Sequence, residues 1–226
     1  MSFFMKEIID EEWGNYFELT TGGYALLIVI MLAILLAGCF FGGGKLKNKL
    51  STKQLVFSAA AMALAMVCSM LKLFELPMGG SVTLCSMLFI CLIGYWYGLY
   101  GGLTAAIAYG FLQLIVDPYI ISIPQMLTDY IFAFGALGLS GVFAGKKRGL
   151  MWGYLLGCFG RFVFTFLSGM IFFGSYASDY GMSAPVYSFL YNGAYIGAEV
   201  LITLVIIMLP PVAKGLQMLK NMATEA

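Results

Sequence analysis

One segment near the middle of the chain, DPYIISIPQMLTDY, gathers side chains that could recognise a small ring-shaped ligand. Gln125 and Asp129 stand four residues apart, and helical periodicity places them on one face. A carboxylate accepts hydrogen bonds from amino groups, while rings such as those of Tyr119 and Tyr130 stack on flat heterocycles and attract cations. This combination predicts the binding of a flat, cationic or amine-bearing heterocycle.

Two later segments supply further candidates for the same site. The first carries Thr165, Gly169 and Phe173, and the second carries Asn192 beside a stripe of tyrosines at positions 187, 191 and 195. Tyrosines near helix ends also form the aromatic belt at the membrane–water interface, so that alternative stays open for each of them. No basic cluster accompanies these segments, which argues against a phosphorylated ligand.

The elements that must position these residues are membrane-spanning helices. Hydrophobic residues make up 62% of the chain and charged residues 10%, and the apolar runs are of the length, about 20 residues, that crosses a bilayer as a helix. Strand-like alternation is absent, which argues against a membrane barrel. The pattern predicts an all-α integral membrane protein with helices at residues 22–41, 53–74, 82–98, 101–117, 126–145, 150–174 and 185–210.

The distribution of basic residues predicts how these helices are oriented. Loops rich in Lys and Arg stay on the cytoplasmic side. Seven helices with the N-terminus outside and the C-terminus inside place most of the basic residues in the cytoplasm, in the segment 45–53, the turn 146–148 and the C-terminal segment with Lys214 and Lys220. The predicted location is therefore the cytoplasmic membrane, with many crossings of the lipid bilayer.

Several function classes are disfavoured by what the sequence lacks. The net charge of +1 gives no basic excess for nucleic acid, and the chain has no histidine to act as a general base or metal ligand. Its five cysteines lie in apolar runs without paired spacing, so they are interpreted as packing residues. No GxxxxGK[ST] loop is present. The sequence predicts neither an enzyme nor a bound cofactor or metal, and uphill transport would need an ion gradient or a partner.

Two further patterns concern packing inside the membrane. Arg161 and Glu199 lie at similar depths in their helices, and we expect them to form an ion pair because an isolated charge in hydrocarbon is costly. The segment SAAAMALAMVCSM spaces small residues by four, which permits close helix–helix approach either to a partner or within one bundle. These residues are Ala59, Ala61, Ala63 and Ala65.

From about Leu50 to the end, the chain resembles the thiamine-specific substrate-binding (S) component of energy-coupling-factor vitamin transporters. The resemblance is carried by PMGGSVTLCSML, DPYIISIPQMLTDYIFAFGALGLSG, RFVFTFLSGMIFFGSYA and GMSAPVYSFLYNGAY, in that order. It implies a six-helix thiamine-binding core over residues 50–226. An acidic segment, one extra transmembrane helix and a basic linker would then occupy residues 1–49.

The resemblance also implies a ligand and partners. Thiamine would be captured from outside by Tyr119, Asp129, Tyr130, Thr165, Gly169, Phe173, Tyr187 and Asn192. The family often has glutamate at the position of Asp129, histidine at that of Thr165 and tryptophan at that of Phe173. The four alanines would dock a transmembrane coupling protein joined to two ATPases. The alternative is a stand-alone, gradient-driven carrier for thiamine or a related pyrimidine or heterocyclic precursor.

Overall fold

The computed structural model describes residues 5–8, 16–23, 25–26, 29 and 51–224. The predicted N-terminal membrane helix at 22–41 falls almost entirely outside these residues. Near the N-terminus, strand β1 (Met5–Ile8) pairs antiparallel with β2 (Tyr16–Leu19). The core of the described chain starts at Ser51.

Helices dominate this core, and five are long and apolar enough to cross a membrane. Helix α1 (Thr52–Met70) begins with a capping box, in which the Ser51 hydroxyl accepts from the Gln54 backbone N–H at 3.1 Å and the Gln54 side chain accepts from the Ser51 N–H at 3.1 Å. The prediction of an all-α membrane protein is confirmed. The helices are α1 (Thr52–Met70), α2 (Ser86–Val116), α3 (Ile123–Phe143), α4 (Gly149–Phe172) and α5 (Ala184–Met208).

Helix α2 folds back on itself at Gly98. This residue has φ 77°, a backbone conformation that favours glycine, and a Cβ added at Gly102 would lie 2.7 Å from the Cα of Gly94. Eight residues of a straight helix would separate those positions by about 12 Å, so the two arms lie side by side. The predicted break between residues 98 and 101 corresponds to this turn, and the total number of membrane crossings stays a prediction.

Helix α3 is irregular along its length. A short α-helical start (Ile123–Met126) leads into a π-helical turn (Leu127–Phe132), and the helix ends as a 3₁₀ segment (Ala136–Phe143). Glycines let the 3₁₀ segment approach the turn of α2 closely, since a Cβ added at Gly138 would lie 2.5 Å from the Cα of Leu103. The π-helical turn carries Asp129 and Tyr130. Such turns occur frequently at functional sites.

A β-hairpin connects α1 to α2 and corrects two of the predicted helices. Residues 72–74 were expected in the helix 53–74 and residues 82–85 in the helix 82–98, yet β3 (Lys72–Glu75) pairs there with β4 (Ser81–Thr83). The 3₁₀ turn between the strands (Pro77–Gly79) starts with a proline and ends with Gly79 at φ 85°. These residues reverse the chain over the end of the bundle, which a continuous helix could not do.

An exposed ion-pair group ties this hairpin to the end of α2. The Lys72 ammonium lies 2.8 Å from the Glu75 carboxylate and 2.8 Å from the Asp117 carboxylate. Partial burial lowers the pKa of Lys72, but the hydrogen bonds and charges of Asp117 and Glu75 outweigh burial and raise it above its usual value. All three side chains are partly open to solvent, so the group contributes about 1 kcal/mol or less to stability.

The predicted ion pair between Arg161 and Glu199 is wrong. Glu199 is buried and accepts four hydrogen bonds at the junction of β4 and α2, from the Thr83 N–H (3.2 Å) and hydroxyl (2.6 Å), the Ser86 hydroxyl (3.1 Å) and the Met87 N–H (3.1 Å). Arg161 forms no ion pair with any residue that the structure describes. The two residues share a depth, but their helices turn them toward different neighbours.

The four alanines of α1 do not share one surface. Ala61 and Ala65 are buried at 3% and 0% exposure and pack inside the chain, whereas Ala59 and Ala63 are exposed. Residues two apart on a helix point in nearly opposite directions, which is why only alternate members can face outward. The prediction of a partner interface is therefore corrected for Ala61 and Ala65, and it stays a prediction for Ala59 and Ala63.

A last helix, α6 (Pro210–Thr224), was not expected from the sequence. The predicted helix 185–210 ends at Pro210, but proline is also well tolerated in the first turn of a helix, and α6 begins there. The helix packs back on α2, where the Lys220 ammonium lies 3.9 Å from the Tyr95 ring centroid and the Tyr97 hydroxyl donates to the Ala223 carbonyl at 3.4 Å.

Candidate functional site

A single cavity gathers the polar residues of the bundle at the end covered by the β3–β4 hairpin. Its volume of about 140 Å³ is close to that of a cavity known to hold one benzene ring, roughly 150 Å³. All the membrane-spanning elements except α1 contribute to its wall, together with the hairpin. The lining residues are Gly79, Gly80, Ser81, Gln113, Asp117, Tyr119, Gln125, Asp129, Tyr130, Phe134, Arg161, Thr165, Gly169, Phe173, Tyr187, Ser188, Tyr191, Asn192 and Tyr195.

One acid of this cavity, Asp129, is positioned by the π-helical turn of α3. Its Oδ2 accepts a hydrogen bond from the Gln125 side-chain amide at 2.7 Å. Gln125 is itself buried and fixed, because the same amide nitrogen donates to the Tyr119 carbonyl at 3.1 Å and its Oε1 accepts from the Ile121 N–H at 3.1 Å. The carboxylate is thus held in one orientation in the wall of the cavity.

Aromatic rings form two walls of the cavity. On one side, the rings of Tyr119 and Phe173 stack with their centroids 6.0 Å apart and an interplanar angle of 27°. On the other side, the α5 stripe continues from Tyr187 to Tyr191 (5.8 Å, 25°) and then to Tyr195 (5.8 Å, 70°). These tyrosines line the cavity, so they can offer flat faces to a bound ring.

A buried amide lies where α4 and α5 approach each other. The Asn192 side-chain nitrogen donates to the Thr165 carbonyl at 3.2 Å and to the Ser188 carbonyl at 2.9 Å, and its Oδ1 accepts from the Tyr195 hydroxyl at 3.0 Å. The approach requires Gly169, because a Cβ there would lie 2.3 Å from the Ser188 hydroxyl oxygen. Gly169 therefore sets the spacing of the two helices that form this part of the cavity.

The hairpin covers part of the cavity above these walls. Gly79 and Gly80 line it, and the Tyr191 hydroxyl fastens the hairpin by accepting from the Gly80 N–H at 2.9 Å and donating to the Pro77 carbonyl. Beside the hairpin, the Tyr130 hydroxyl accepts from the Tyr119 N–H at 2.7 Å and donates to the Asp117 carbonyl at 2.9 Å. Tyrosine hydroxyls from α3 and α5 thus hold the segments that cover the ligand space.

The structure brings all eight sequence-predicted site residues to this one cavity: Tyr119, Asp129, Tyr130, Thr165, Gly169, Phe173, Tyr187 and Asn192. The sequence reasoning missed Phe134 and the contribution of Arg161, which it had assigned to an ion pair with Glu199. The signal for Arg161 was available in its spacing, because residues 161, 165, 169 and 173 are four apart and share one helix face.

Comparison with known proteins places this architecture in a family. A family model described as "Thiamine transporter protein (Thia_YuaJ)" matches residues 55–218. The chain is also 32% identical over 168 residues to the thiamine transporter ThiT of Bacillus subtilis (strain 168), an alignment that covers 68% of this chain and 85% of that protein. The chain belongs to the thiamine transporter family. Membership confirms the predicted resemblance and the prediction of a transporter instead of an enzyme.

A solved structure of a similar protein supports the fold of this chain. ThiT from Listeria monocytogenes matches with a TM-score of 0.62 and 24% sequence identity, over 75% of this chain and 96% of that chain. The match confirms the helical membrane bundle. The matched region of the family begins after the N-terminal 54 residues, so the extra segment lies outside it.

Proposed function

We propose that this protein binds thiamine from outside the cell and mediates its uptake across the cytoplasmic membrane as the S-component of an energy-coupling-factor transporter. The observation that carries the proposal is the position of Asp129, a carboxylate in the wall of a cavity that also has two aromatic walls. The names of the family and of the Bacillus subtilis relative give thiamine as the transported molecule.

The chemistry of the cavity suits this vitamin. Thiamine joins an aminopyrimidine to a cationic thiazolium ring, and Asp129 can accept a hydrogen bond from the amino group while its charge attracts the cation. The rings of Tyr119, Phe173 and Tyr187 offer stacking and cation–π contacts of about 0.5 to 2 kcal/mol each. The buried Asn192 fixes the neighbouring tyrosine hydroxyl and contributes polarity without charge.

The distribution of charge supports capture from outside. The exposed turn of Lys146, Lys147 and Arg148 precedes α4, and the cavity lies toward the opposite end of that helix. Helix α6, with Lys214 and Lys220, follows α5 at the end of the bundle that carries this basic turn. Basic loops favour the cytoplasm. The cavity mouth then faces outward, with the N-terminus outside and the C-terminus inside.

We further propose that a transmembrane coupling protein and its two ATPases power release. The chain has no nucleotide-binding loop of its own, and Ala59 and Ala63 give α1 an exposed strip of small residues for close helix contact. Introducing a tryptophan at Ala63 should abolish uptake and leave thiamine binding unchanged, whereas the control Leu201→Trp on the exposed side of α5 should preserve both. Full uptake without the coupling module would favour the stand-alone, gradient-driven carrier instead.

Titration of the purified full chain tests the binding step. We expect saturable binding of thiamine, measured by the change in tyrosine and tryptophan fluorescence. Thiamine pyrophosphate should bind more weakly, because its pyrophosphate group would meet Asp129 and the aromatic walls without a basic cluster to bind it. The free aminopyrimidine fragment should compete with thiamine at higher concentration. An absence of saturable thiamine binding would overturn the proposal.

A further inference from the structure

Arg161 is the one basic residue in the cavity wall among the residues that the structure describes. The α4 residues of the wall recur every four positions from Phe173 to Arg161, so Arg161 is the innermost of them, about three helical turns from the mouth. Tyr195 on α5 and Phe134 on α3 are likewise the innermost wall residues of their helices. These three side chains form the floor of the cavity.

The guanidinium group of Arg161 is held in place but incompletely satisfied. Its Cζ lies 4.1 Å from the centroid of the Phe134 ring, a cation–π contact. Its Nε is enclosed and has no hydrogen-bond partner in the described part of the chain. An unpaired charged donor is costly in a buried site, and Arg161 lines the cavity, so a ligand that brings an acceptor to its guanidinium group would be favoured.

Neighbouring acids do not fill this role. Glu199 is occupied by four hydrogen bonds at the start of α2, and Asp117 pairs with Lys72 near the mouth. Asp129 shares the cavity with Arg161, yet no ion pair joins them. The cavity wall therefore holds a carboxylate acceptor and a guanidinium donor with no ion pair between them.

We propose that Arg161 is a specificity-determining residue that donates a hydrogen bond to a ring nitrogen of the aminopyrimidine, an inference that rests on the proposed function. An aminopyrimidine carries an amino donor for Asp129 and uncharged ring nitrogens that accept from Arg161. The thiazolium ring repels a guanidinium, so it lies toward the mouth, between the ring pair of Tyr119 and Phe173 and the tyrosines of α5. Arg161 thus sets which end of the ligand enters first.

The test combines one substitution with edited ligands. Wild-type protein and Arg161→Met are titrated with thiamine and with two thiamine analogues, each with one pyrimidine ring nitrogen replaced by CH. Arg148→Met, in the exposed turn before α4, is the matched control. Thiamine and one analogue, each measured with wild-type protein and with Arg161→Met, form a thermodynamic cycle. This cycle isolates the contact between Arg161 and the edited nitrogen.

We expect Arg161→Met to weaken thiamine binding about 10- to 100-fold, the range for a hydrogen bond to a charged group, and Arg148→Met to leave it unchanged. One of the analogues should bind wild-type protein more weakly than thiamine does, by a similar factor. Its affinity should not fall further when Arg161 is replaced by methionine. Equal binding of thiamine and both analogues by wild-type protein would overturn the inference, even if Arg161→Met fails to fold. The inference would also be overturned if replacing the ring nitrogen lowered the affinity by the same factor in wild-type protein and in Arg161→Met. A wild-type protein that binds no thiamine would instead overturn the proposed function.

Discussion

Replacing Asp129 by asparagine removes the charge of the cavity acid and changes little else. The Gln125 amide donates to Oδ2 at 2.7 Å, and the side-chain oxygen of an asparagine can accept that bond in the same place. The asparagine NH₂ group then occupies the position of Oδ1 and faces the ligand amino group as a second donor. The substitution therefore exchanges an acceptor for a donor without opening space.

The expected cost follows from that exchange. A hydrogen bond to a charged group contributes about 1.5 to 3 kcal/mol, so thiamine affinity should fall about 10- to 150-fold. Thermal unfolding of the unliganded protein should change little, because the Gln125 bond survives. Asp179→Asn, an exposed residue of the segment between α4 and α5, is the matched control and should bind like wild type.

Isothermal titration calorimetry of the three purified proteins provides the assay. It gives affinity and stoichiometry together, so a loss of affinity can be separated from a loss of folded protein. If Asp129→Asn binds thiamine with wild-type affinity and stoichiometry, the carboxylate does not contact the vitamin. The reasoning that connects the aromatic cavity to thiamine would then be refuted.

Three more predictions follow from the contacts around the cavity. Gly169→Ala should lower the melting temperature and weaken thiamine binding because its Cβ would lie 2.3 Å from the Ser188 hydroxyl oxygen, whereas Gly197→Ala meets no atom within 4 Å and should change neither in the same assays. Tyr191→Phe removes both hydrogen bonds to the hairpin. Thiamine should then dissociate about tenfold faster in stopped-flow fluorescence. An unchanged dissociation rate would show that Tyr191 does not hold the hairpin in place. Glu199→Gln should cost about 1.5 to 3 kcal/mol of unfolding free energy because its new NH₂ group meets donors at the start of α2, and an unchanged melting temperature would contradict that role.

The sequence predicted the residues of the cavity better than it predicted the elements around them. Polar groups are costly in a membrane unless they find partners, so the positions of Asp129 and Asn192, with aromatic residues such as Tyr187 nearby, indicated a common site before any contact was known. The family resemblance selected the same residues. All of them line one cavity, although their contact with thiamine stays a prediction.

The direction in which a side chain points from its helix was harder to predict than its depth along the helix. Counting residues placed Arg161 and Glu199 at one level, but it could not show that Glu199 turns toward the β4–α2 junction while Arg161 turns into the cavity. The same ambiguity placed four alanines on one surface when Ala61 and Ala65 pack inside. Hydrophobic periodicity gives little help here, because lipid and protein interior are both apolar.

Short irregular elements were also beyond the sequence patterns. The hairpin residues around Phe74 continue the apolar character of α1, so hydropathy did not separate a strand from the last turn of a helix. The π-helical turn that positions Asp129 depends on packing against neighbouring helices and has no sequence pattern that predicts it. Tertiary contacts decide both elements.

A structure of the full chain with thiamine bound is the measurement that tests the central claim most directly. The account predicts the vitamin inside the cavity beneath the β3–β4 hairpin, with its amino nitrogen within about 3.2 Å of a carboxylate oxygen of Asp129. Thiamine bound elsewhere on the bundle, or inside the cavity with Asp129 out of contact, would contradict it.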